Sequence, residues 1–223
     1  MKKVLFLSAL ALTVNSAMAA ETAVLKVTGT LTNAACTPTL SNGGVVDYGT
    51  LRLGELSATS VNSLPNKTID LTINCTSATK VAWDGMDNQA SSRPSPALPV
   101  NAGSDLATPA NTLTFGMGKT DGGVNIGNYI IRIDTAPVYD GISGLLITHN
   151  TDWGNVWNTS GNAQRNDGYS WYTAAQTGTT EPVAFKTATF ALSIRGTIQD
   201  TTTLAVTDDT AINGQATFTL RYL

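Results

Sequence analysis

The last ten residues, Gly214-Gln-Ala-Thr-Phe-Thr-Leu-Arg-Tyr-Leu223, alternate strictly between apolar and polar side chains. A period of two predicts a β-strand with one buried face and one solvated face. Because it is the last strand in the sequence, we expect its free edge to be covered by an earlier segment or by another molecule. The side chains on its apolar face are Ala216, Phe218, Leu220 and Tyr222.

The first nineteen residues predict a secretory signal peptide. Met1-Lys2-Lys3 is basic, residues 4–14 are nearly all apolar, and Ala17-Met18-Ala19 fits a cleavage site between Ala19 and Ala20. The apolar run is too short to span a bilayer, and no later run is long enough to do so. We therefore expect an exported chain that is soluble or assembled on a surface.

The composition favours a single exported β domain that covers residues 20–223. Only 13% of the residues are charged, while Thr, Asn, Ser, Gly and Ala are abundant, which suits strands better than helices. Without Lys2 and Lys3, 11 basic residues oppose 16 acidic ones, a net charge of −5. This balance argues against nucleic acid as a partner, since its phosphates require basic surfaces.

The two cysteines, Cys36 and Cys75, predict one disulfide. An even count in an exported chain favours a bridge over two free thiols or a metal pair, because no His or third Cys lies at ligand spacing. The bridge would close a loop of about 39 residues. In the chain-entropy model, closing such a loop stabilises the fold by roughly 4 kcal/mol.

Short alternating runs between Gly, Pro and Asn turns predict many strands and no convincing helix. Two polar stretches, about 84–111 and 152–178, are expected to form long surface insertions. The pattern as a whole predicts an all-β sandwich. The predicted strands are 24–31, 45–49, 67–75, 81–83, 113–116, 129–133, 144–148, 183–198 and 214–223.

The sequence predicts no catalytic residues, metal site or cofactor. His149 is the only histidine, so a Ser–His–Asp triad would have to use it, and we expect it at the surface because it follows a strand. Gly118-Lys119-Thr120 matches the end of a phosphate loop, but Leu113 stands where the loop requires its first Gly. We therefore expect a β-turn at that place, and a protein that is not an enzyme.

The second polar stretch is rich in aromatic side chains, among them Trp153, Trp157 and Trp171. Aromatic faces can stack on sugars while nearby amides and carboxylates bind hydroxyl groups, so these three residues are candidates for glycan contact. The alternative is that the rings pin the insertion onto the sandwich. Their spacing does not separate the two interpretations.

Three features together resemble the subunits of chaperone–usher fimbriae, the pilins. They are Asn33-Ala-Ala-Cys36 at the end of the first strand, the second cysteine at the end of Leu71-Thr-Ile-Asn-Cys75, and a closing alternating strand with a penultimate Tyr222. More narrowly, residues 35–49, Phe115-Gly-Met-Gly118 and the closing Tyr222-Leu223 resemble the GltF-like group of periplasmic and fimbrial-type proteins.

This resemblance implies an immunoglobulin-like sandwich that lacks its seventh strand. An apolar groove then lies beside the final strand, where a periplasmic chaperone, delivering the subunit to an usher, lends a strand that a neighbouring subunit's N-terminal extension later replaces. Ala216, Phe218, Leu220 and Tyr222 match the chaperone and donor-strand contacts, and basic chaperone residues would hold the carboxylate of Leu223. The implied location is the periplasm or a cell-surface fimbria.

Three functions remain open: a fimbrial structural subunit, a carbohydrate-binding adhesin subunit, and a stand-alone periplasmic protein with a complete sandwich. Only Ala20 to Val24 precede the first predicted strand, which is short for a donor segment and favours the stand-alone protein. Residues 20–27 could act as a donor if the first strand begins later in the chain.

Overall fold

The computed structural model describes residues 35–101, 106–151, 154 and 156–223, which form fifteen strands and one short α-helix. The signal peptide, its cleavage site at Ala19 and Ala20, and the predicted strand 24–31 lie outside these residues. No helix in the described ranges is long and apolar enough to cross a bilayer. The elements are β1 (Cys36–Leu40), β2 (Asn62–Ser63), β3 (Lys67–Thr79), β4 (Val81–Asp87), β5 (Val100–Asn101), β6 (Leu106–Ala107), β7 (Phe115–Gly116), β8 (Gly127–Arg132), β9 (Val138–Tyr139), β10 (Ile142–Ser143), β11 (Leu145–Asn150), β12 (Trp157–Asn158), β13 (Ser170–Ala175), β14 (Phe185–Ile198), α1 (Thr201–Leu204) and β15 (Ala216–Tyr222).

The strands form two main antiparallel sheets. In the first sheet the order is β1–β3–β14–β8–β7, with β2 and β9 also paired to β14 and β10 paired to β9. In the second sheet the order is β12–β11–β13–β4–β15, and β5 pairs with β6 separately. This architecture confirms the predicted all-β sandwich.

The core lies between the two main sheets and is centred on Trp83 of β4, which is fully buried. The Trp83 ring lies 5.1 Å from that of Tyr172 and 5.6 Å from that of Phe218, both in its own sheet. It also makes an edge contact, at 5.5 Å between ring centroids, with Phe190 of the opposite sheet. Aromatic contacts around one side chain therefore connect the last strand to both layers of the core.

The disulfide between Cys36 and Cys75 confirms the predicted bridge, and the two residues face each other in the register of β1 and β3. Cys36 begins β1, however, and does not end a strand as predicted. A turn follows β1, in which Asn42 and Gly43 have φ angles of 50° and 60°. The predicted strand 45–49 is instead a segment without strand pairing.

The two predicted insertions are more ordered than their sequences indicate. β4 continues to Asp87, four residues beyond its predicted end at Trp83. Within the range 152–178, β13 occupies a central position in the second sheet, between β11 and β4. Ser170-Trp-Tyr-Thr-Ala-Ala175 does contain strand-forming residues, but the Asn, Asp and Gly residues before it obscured the pattern.

Candidate functional site: the groove beside the last strand

The last strand, β15, has one paired edge and one open edge. β4 pairs with it on one side, and no strand of the described residues lies on the other. Gln215 accepts a hydrogen bond from the Asn88 N–H at 3.0 Å, and the Leu223 N–H donates to Lys80 at 3.1 Å, so odd-numbered positions face β4. In an antiparallel pair the even-numbered positions must then direct their backbone groups toward the open edge. Such an edge is a template for another strand.

The side chains of β15 alternate as the sequence predicted. Ala216, Phe218 and Leu220 are half-buried against the core, while Thr217 and Thr219 are exposed. Tyr222 continues the apolar face but remains 55% exposed. Burial is incomplete along this face because no described strand covers it from the open side.

The opposite wall of the groove consists of the end of β1 and the segment around Tyr48 that follows it. Val46 and Tyr48 of that segment are half-buried and pack on the core. Between this wall and β15 lies a cavity of about 400 Å³. Its apolar lining comes from both sheets and includes Leu40, Val46, Ile69, Met117, Tyr129, Leu192, Ile212 and Phe218.

A second cavity, of about 960 Å³, adjoins the first. Val46, Tyr48 and Ile212 line both cavities, so the two are neighbours, and we call them together the edge groove. Both volumes fall in the range typical of ligand pockets. The second cavity is lined by Leu51, Leu56, Ile126, Ile198, Leu204 and Val206, with Asp47, Asp208 and Asp209 also in its lining.

Some exposed apolar side chains lie at the edge groove. Of the ten large apolar side chains exposed among the described residues, Leu53 and Ile212 line the groove. Three more, Val45, Tyr222 and Leu223, lie next to lining residues or at the end of β15.

One end of the groove is fastened by contacts between the two sheets. The Cys36 N–H donates a hydrogen bond to the hydroxyl of Tyr222 at 2.8 Å, and Cys36 is itself bonded to Cys75. At the other end of β15, the Asn213 N–H donates to the carbonyl of Met117 at 2.8 Å. The adjacent Gly214 passes so close to the ring of Tyr129 that a Cβ at this position would lie 2.8 Å from it.

Two phenols contribute to the floor of the groove. Burial raises the pKa of the Tyr48 hydroxyl, which has no hydrogen-bond partner among the described residues. Burial also raises the pKa of Tyr129, with smaller contributions from the charge of Asp87 and from Tyr48. Both side chains are neutral at physiological pH, as phenols ordinarily are, and the Tyr48 hydroxyl is a polar group that the floor offers to an occupant.

The outer face of β15 is anchored by Arg221. Its guanidinium donates a hydrogen bond to the carboxylate of Asp84 and lies 5.1 Å from the ring centroid of Trp171. The Asp84 side chain is only 3% exposed. Burial raises the pKa of Asp84, and the hydrogen bond and charge of Arg221 offset part of this increase.

The candidate glycan residues are only partly brought together. Trp153 lies outside the described residues, whereas Trp157 and Trp171 flank the imidazole of His149 at centroid distances of 5.3 and 4.9 Å. His149 is 6% exposed, so the expectation of a surface histidine was wrong: pairing with β12 and β13 places a tryptophan on each side of it. In the sheet order, His149 on β11 and Arg221 on β15 lie on opposite sides of Trp171 on β13. Contacts from both sides favour the interpretation that the rings pin the insertion onto the sandwich. Glycan contact remains a prediction.

Residues 25–130 match a family described as "Protein of unknown function (DUF1120)". This range includes both cysteines and the wall of the groove around Tyr48.

Two proteins of Escherichia coli (strain K12) are similar to the chain. "Protein GltF" is 29% identical over an alignment of 248 positions, which covers 97% of this chain and 95% of GltF. "Uncharacterized protein YhcF" is 36% identical over 129 residues, which cover 54% of this chain. The second alignment spans about half of YhcF, 53% of its length.

Proposed function

We propose that this chain is an exported, fimbrial-type structural subunit of the matched family, whose sandwich is completed by β-strand addition. A periplasmic chaperone supplies the first strand, and a neighbouring subunit later replaces it. The observation that carries the proposal is the open edge of β15 beside an apolar groove. In strand addition, backbone hydrogen bonds provide affinity, and side-chain pockets read alternate residues.

β15 offers both the backbone hydrogen bonds and the side-chain contacts that strand addition requires. Its unpaired backbone groups belong to Ala216, Phe218, Leu220 and Tyr222, and the same residues direct their side chains toward the core. An incoming strand would therefore hydrogen-bond to this edge while its own apolar side chains enter the groove. A complete sandwich would instead place another strand at this position.

The length of chain before β1, the first described strand, bears on whether the N-terminal segment could act as a donor. If Ala20 begins the mature chain, sixteen residues, Ala20 to Ala35, precede β1. At about 3.3 Å per residue this length reaches roughly 50 Å, about twice the span of a seven-residue strand such as β15. Residues 24–31 within it alternate in the manner required of a donor.

A urea melt of the oxidised chain 20–223 tests the proposal, with and without a synthetic peptide of residues 20–34. We expect the chain alone to unfold at low urea or to aggregate, and the peptide to raise the midpoint in a concentration-dependent way, as a ligand of the folded state does. A scrambled peptide of the same composition should have no effect. Cooperative unfolding at high urea that no donor peptide changes would favour the stand-alone protein.

Two substitutions in β15, one on the groove face and one on the exposed face, form a matched pair. Ala216→Phe places a ring in the first cavity, which Ala216 lines, and should abolish the response to the peptide. Thr219→Phe adds a ring of the same size on the exposed face of the same strand, opposite Asp84, and should leave the response intact. An equal response in both variants would show that the peptide binds elsewhere.

A further inference from the structure

The two walls of the edge groove differ in the backbone groups that they offer to an incoming strand. On β15, the even-numbered residues direct their N–H and C=O groups toward the open edge, where no strand of the described residues pairs with them. The facing wall begins with β1, which is an outer strand of the first sheet. Whether an incoming strand pairs with one wall or with both depends on the groups that β1 has free.

The even-numbered residues of β1 direct their backbone groups away from β3. The Thr76 N–H donates a 2.9 Å hydrogen bond to the carbonyl of Ala35, so the odd-numbered residues of this segment face β3. In an antiparallel pair, successive residues direct their backbone groups to opposite sides of the strand. The outer edge of β1 therefore belongs to Cys36, Pro38 and Leu40.

Two of these three residues have no N–H to offer. The Cys36 N–H already donates to the hydroxyl of Tyr222 at 2.8 Å. Pro38 has no N–H, and its ring carbon stands in place of the amide hydrogen. Proline on an edge strand is one of the devices by which proteins prevent pairing with a further strand. The outer edge of β1 is therefore a poor acceptor of a strand.

The segment that continues this wall uses its backbone groups locally. The Val45 N–H donates to the Asn42 carbonyl at 3.1 Å, and the Val45 carbonyl accepts a 2.8 Å hydrogen bond from the Asn42 side-chain amide. The Gly49 N–H donates to the carboxylate of Asp47 at 2.7 Å. Val46 of the same segment lines the groove with its apolar side chain. This wall can therefore contact an occupant through side chains, while β15 offers backbone pairing.

We propose that the occupant of the edge groove is residues 23–31 of a second copy of this chain, and that it pairs with β15 alone. The added strand becomes the sixth strand of the second sheet. Its other backbone edge faces the exposed ring of Pro38 and solvent. The inference rests on the proposed function, since it states which strand enters the groove and which sheet that strand joins.

The sequence of residues 23–31 fits this place. Leu25, Val27 and Leu31 share one face of an extended chain, so their side chains can enter the groove while Lys26 points away from it. Nine residues span roughly 30 Å, which is enough to run along the seven-residue β15. In its own chain the segment leads into β1, and folding back would pair it with the edge that Pro38 blocks. A second copy meets no such restriction.

Single N-methyl groups on a peptide of residues 20–34 test the one-sided pairing, because each methyl removes one backbone donor and obstructs one edge. One set carries the methyl on Leu25 or Val27, and the other on Lys26 or Thr28. The two sets face opposite edges of an extended chain. In fluorescence anisotropy with the oxidised chain 20–223, we expect one set to weaken binding about fivefold or more per methyl and the other less than about twofold.

The sensitive set also gives the direction of the added strand. In an antiparallel arrangement, core-facing residues of the donor lie directly opposite the core-facing residues of β15 and exchange hydrogen bonds with them, so methyls on Leu25 and Val27 are the costly ones. In a parallel arrangement the alternate residues face β15, and methyls on Lys26 and Thr28 are costly instead.

Pro38→Ala tests the cause on the protein side, since it returns an N–H to the outer edge of β1. In this variant we expect at least one of the tolerated methyls to weaken binding about fivefold, because the donor can now pair with both walls. Thr37→Ala changes an exposed residue of the same strand whose backbone faces β3, and it should keep the wild-type pattern. An unchanged pattern in Pro38→Ala would overturn the role of Pro38.

The outcomes separate this inference from the proposed function. Equal weakening by both sets, with Ala216→Phe still abolishing binding, would overturn one-sided pairing and leave strand addition standing. Equal tolerance of both sets would show that the peptide binds without backbone pairing and would overturn both proposals. Failure of the unmodified peptide to bind would overturn the choice of residues 23–31, and the urea melts with other donor peptides would then decide the proposed function.

Discussion

The backbone N–H of Cys36 donates a 2.8 Å hydrogen bond to the hydroxyl of Tyr222, across 186 residues of sequence. The two residues belong to edge strands of different sheets, β1 and β15. Cys36 also carries the disulfide to Cys75. One residue therefore joins the last strand, the first described strand and the middle of β3.

Tyr222→Phe removes the acceptor of this hydrogen bond and keeps the ring. We expect the free energy of unfolding to fall by about 0.5–1.5 kcal/mol, as for a single net hydrogen bond. The affinity for a donor peptide should fall as well, because the two walls of the groove lose a link. Urea unfolding and peptide titration measure the two effects. Tyr169→Phe, whose hydroxyl has no such cross-sheet bond among the described contacts, serves as the control.

Cys75→Ser breaks the bridge between β1 and β3. The expected loss is roughly 2–5 kcal/mol, as for native disulfides of small exported domains. The oxidised and reduced wild-type proteins, compared by urea unfolding, should differ by a similar amount. Unchanged stability in the variant would show that strand pairing alone holds β1 in place.

The sequence predicted the long strands best, because their alternation is uninterrupted. Ile69 and Leu71 of β3 and Phe190 of β14 are buried as the period of two requires. The last strand was also predicted, but its half-burial was not. The exposure of Tyr222 depends on which of the described strands lie beside it, and that is a property of the sheet order rather than of local sequence.

Two carboxyl groups should give opposite dependences of stability on pH. Burial raises the pKa of Asp84, with partial compensation by Arg221. Between the usual Asp pKa and this raised value, the folded chain binds protons more tightly than the unfolded chain, so the free energy of unfolding falls as pH rises. Asp84→Asn should remove this decrease, which a series of urea midpoints from about pH 3 to about pH 7 would reveal.

Asp134 provides the matched comparison. Burial alone would raise its pKa, but hydrogen bonds and charges from Arg132 and Arg195 outweigh burial and lower it. Its contribution to stability is therefore present above the usual Asp pKa and is lost as pH falls through the lowered value. Asp134→Asn should flatten the acid side of the profile only. Identical profiles of stability against pH for Asp84→Asn and Asp134→Asn would contradict the opposite pKa shifts of the two carboxyl groups.

Phe218→Ala tests the inward face of β15. The ring packs edge-on against Trp83 and is half-buried, so we expect a loss of about 2 kcal/mol, less than for a fully buried Phe. Thr219→Ala changes the outward face and should stay within about 0.5 kcal/mol. Similar losses in both variants, measured by urea unfolding, would mean that the strand does not alternate as described.

Trp171→Ala separates the two interpretations of the aromatic cluster. If the rings pin the loop, the variant should lose about 2 kcal/mol, because the stacking with His149 and the cation–π contact with Arg221 disappear together. If the protein is an adhesin, it should instead bind a glycan on an array. Trp157→Ala should then remove the glycan signal and leave the urea midpoint unchanged. A glycan array and a urea melt of both variants distinguish these outcomes.

The groove and the cluster around His149 could not be derived from local patterns. Trp157 and Trp171 are separated by fourteen positions in the sequence, and only the pairing of β12, β11 and β13 places them on either side of His149. The edge groove likewise joins the segment around Tyr48 to that around Ile212, more than 160 positions apart. Long-range strand order creates both features, and a periodicity of two carries no information about it.

The open edge of β15 has a further consequence, which concerns time rather than affinity. The strand contains one charged side chain, that of Arg221, and no proline, although these are the usual safeguards of an exposed edge. If strand addition completes the sandwich as proposed, capture of an unfilled chain by its occupant competes with collision between two unfilled chains. The collision rate grows with the square of concentration, so productive assembly depends on keeping the pool of uncaptured chains small. Delivery of the occupant at the moment of export, rather than tight binding later, would then determine the yield.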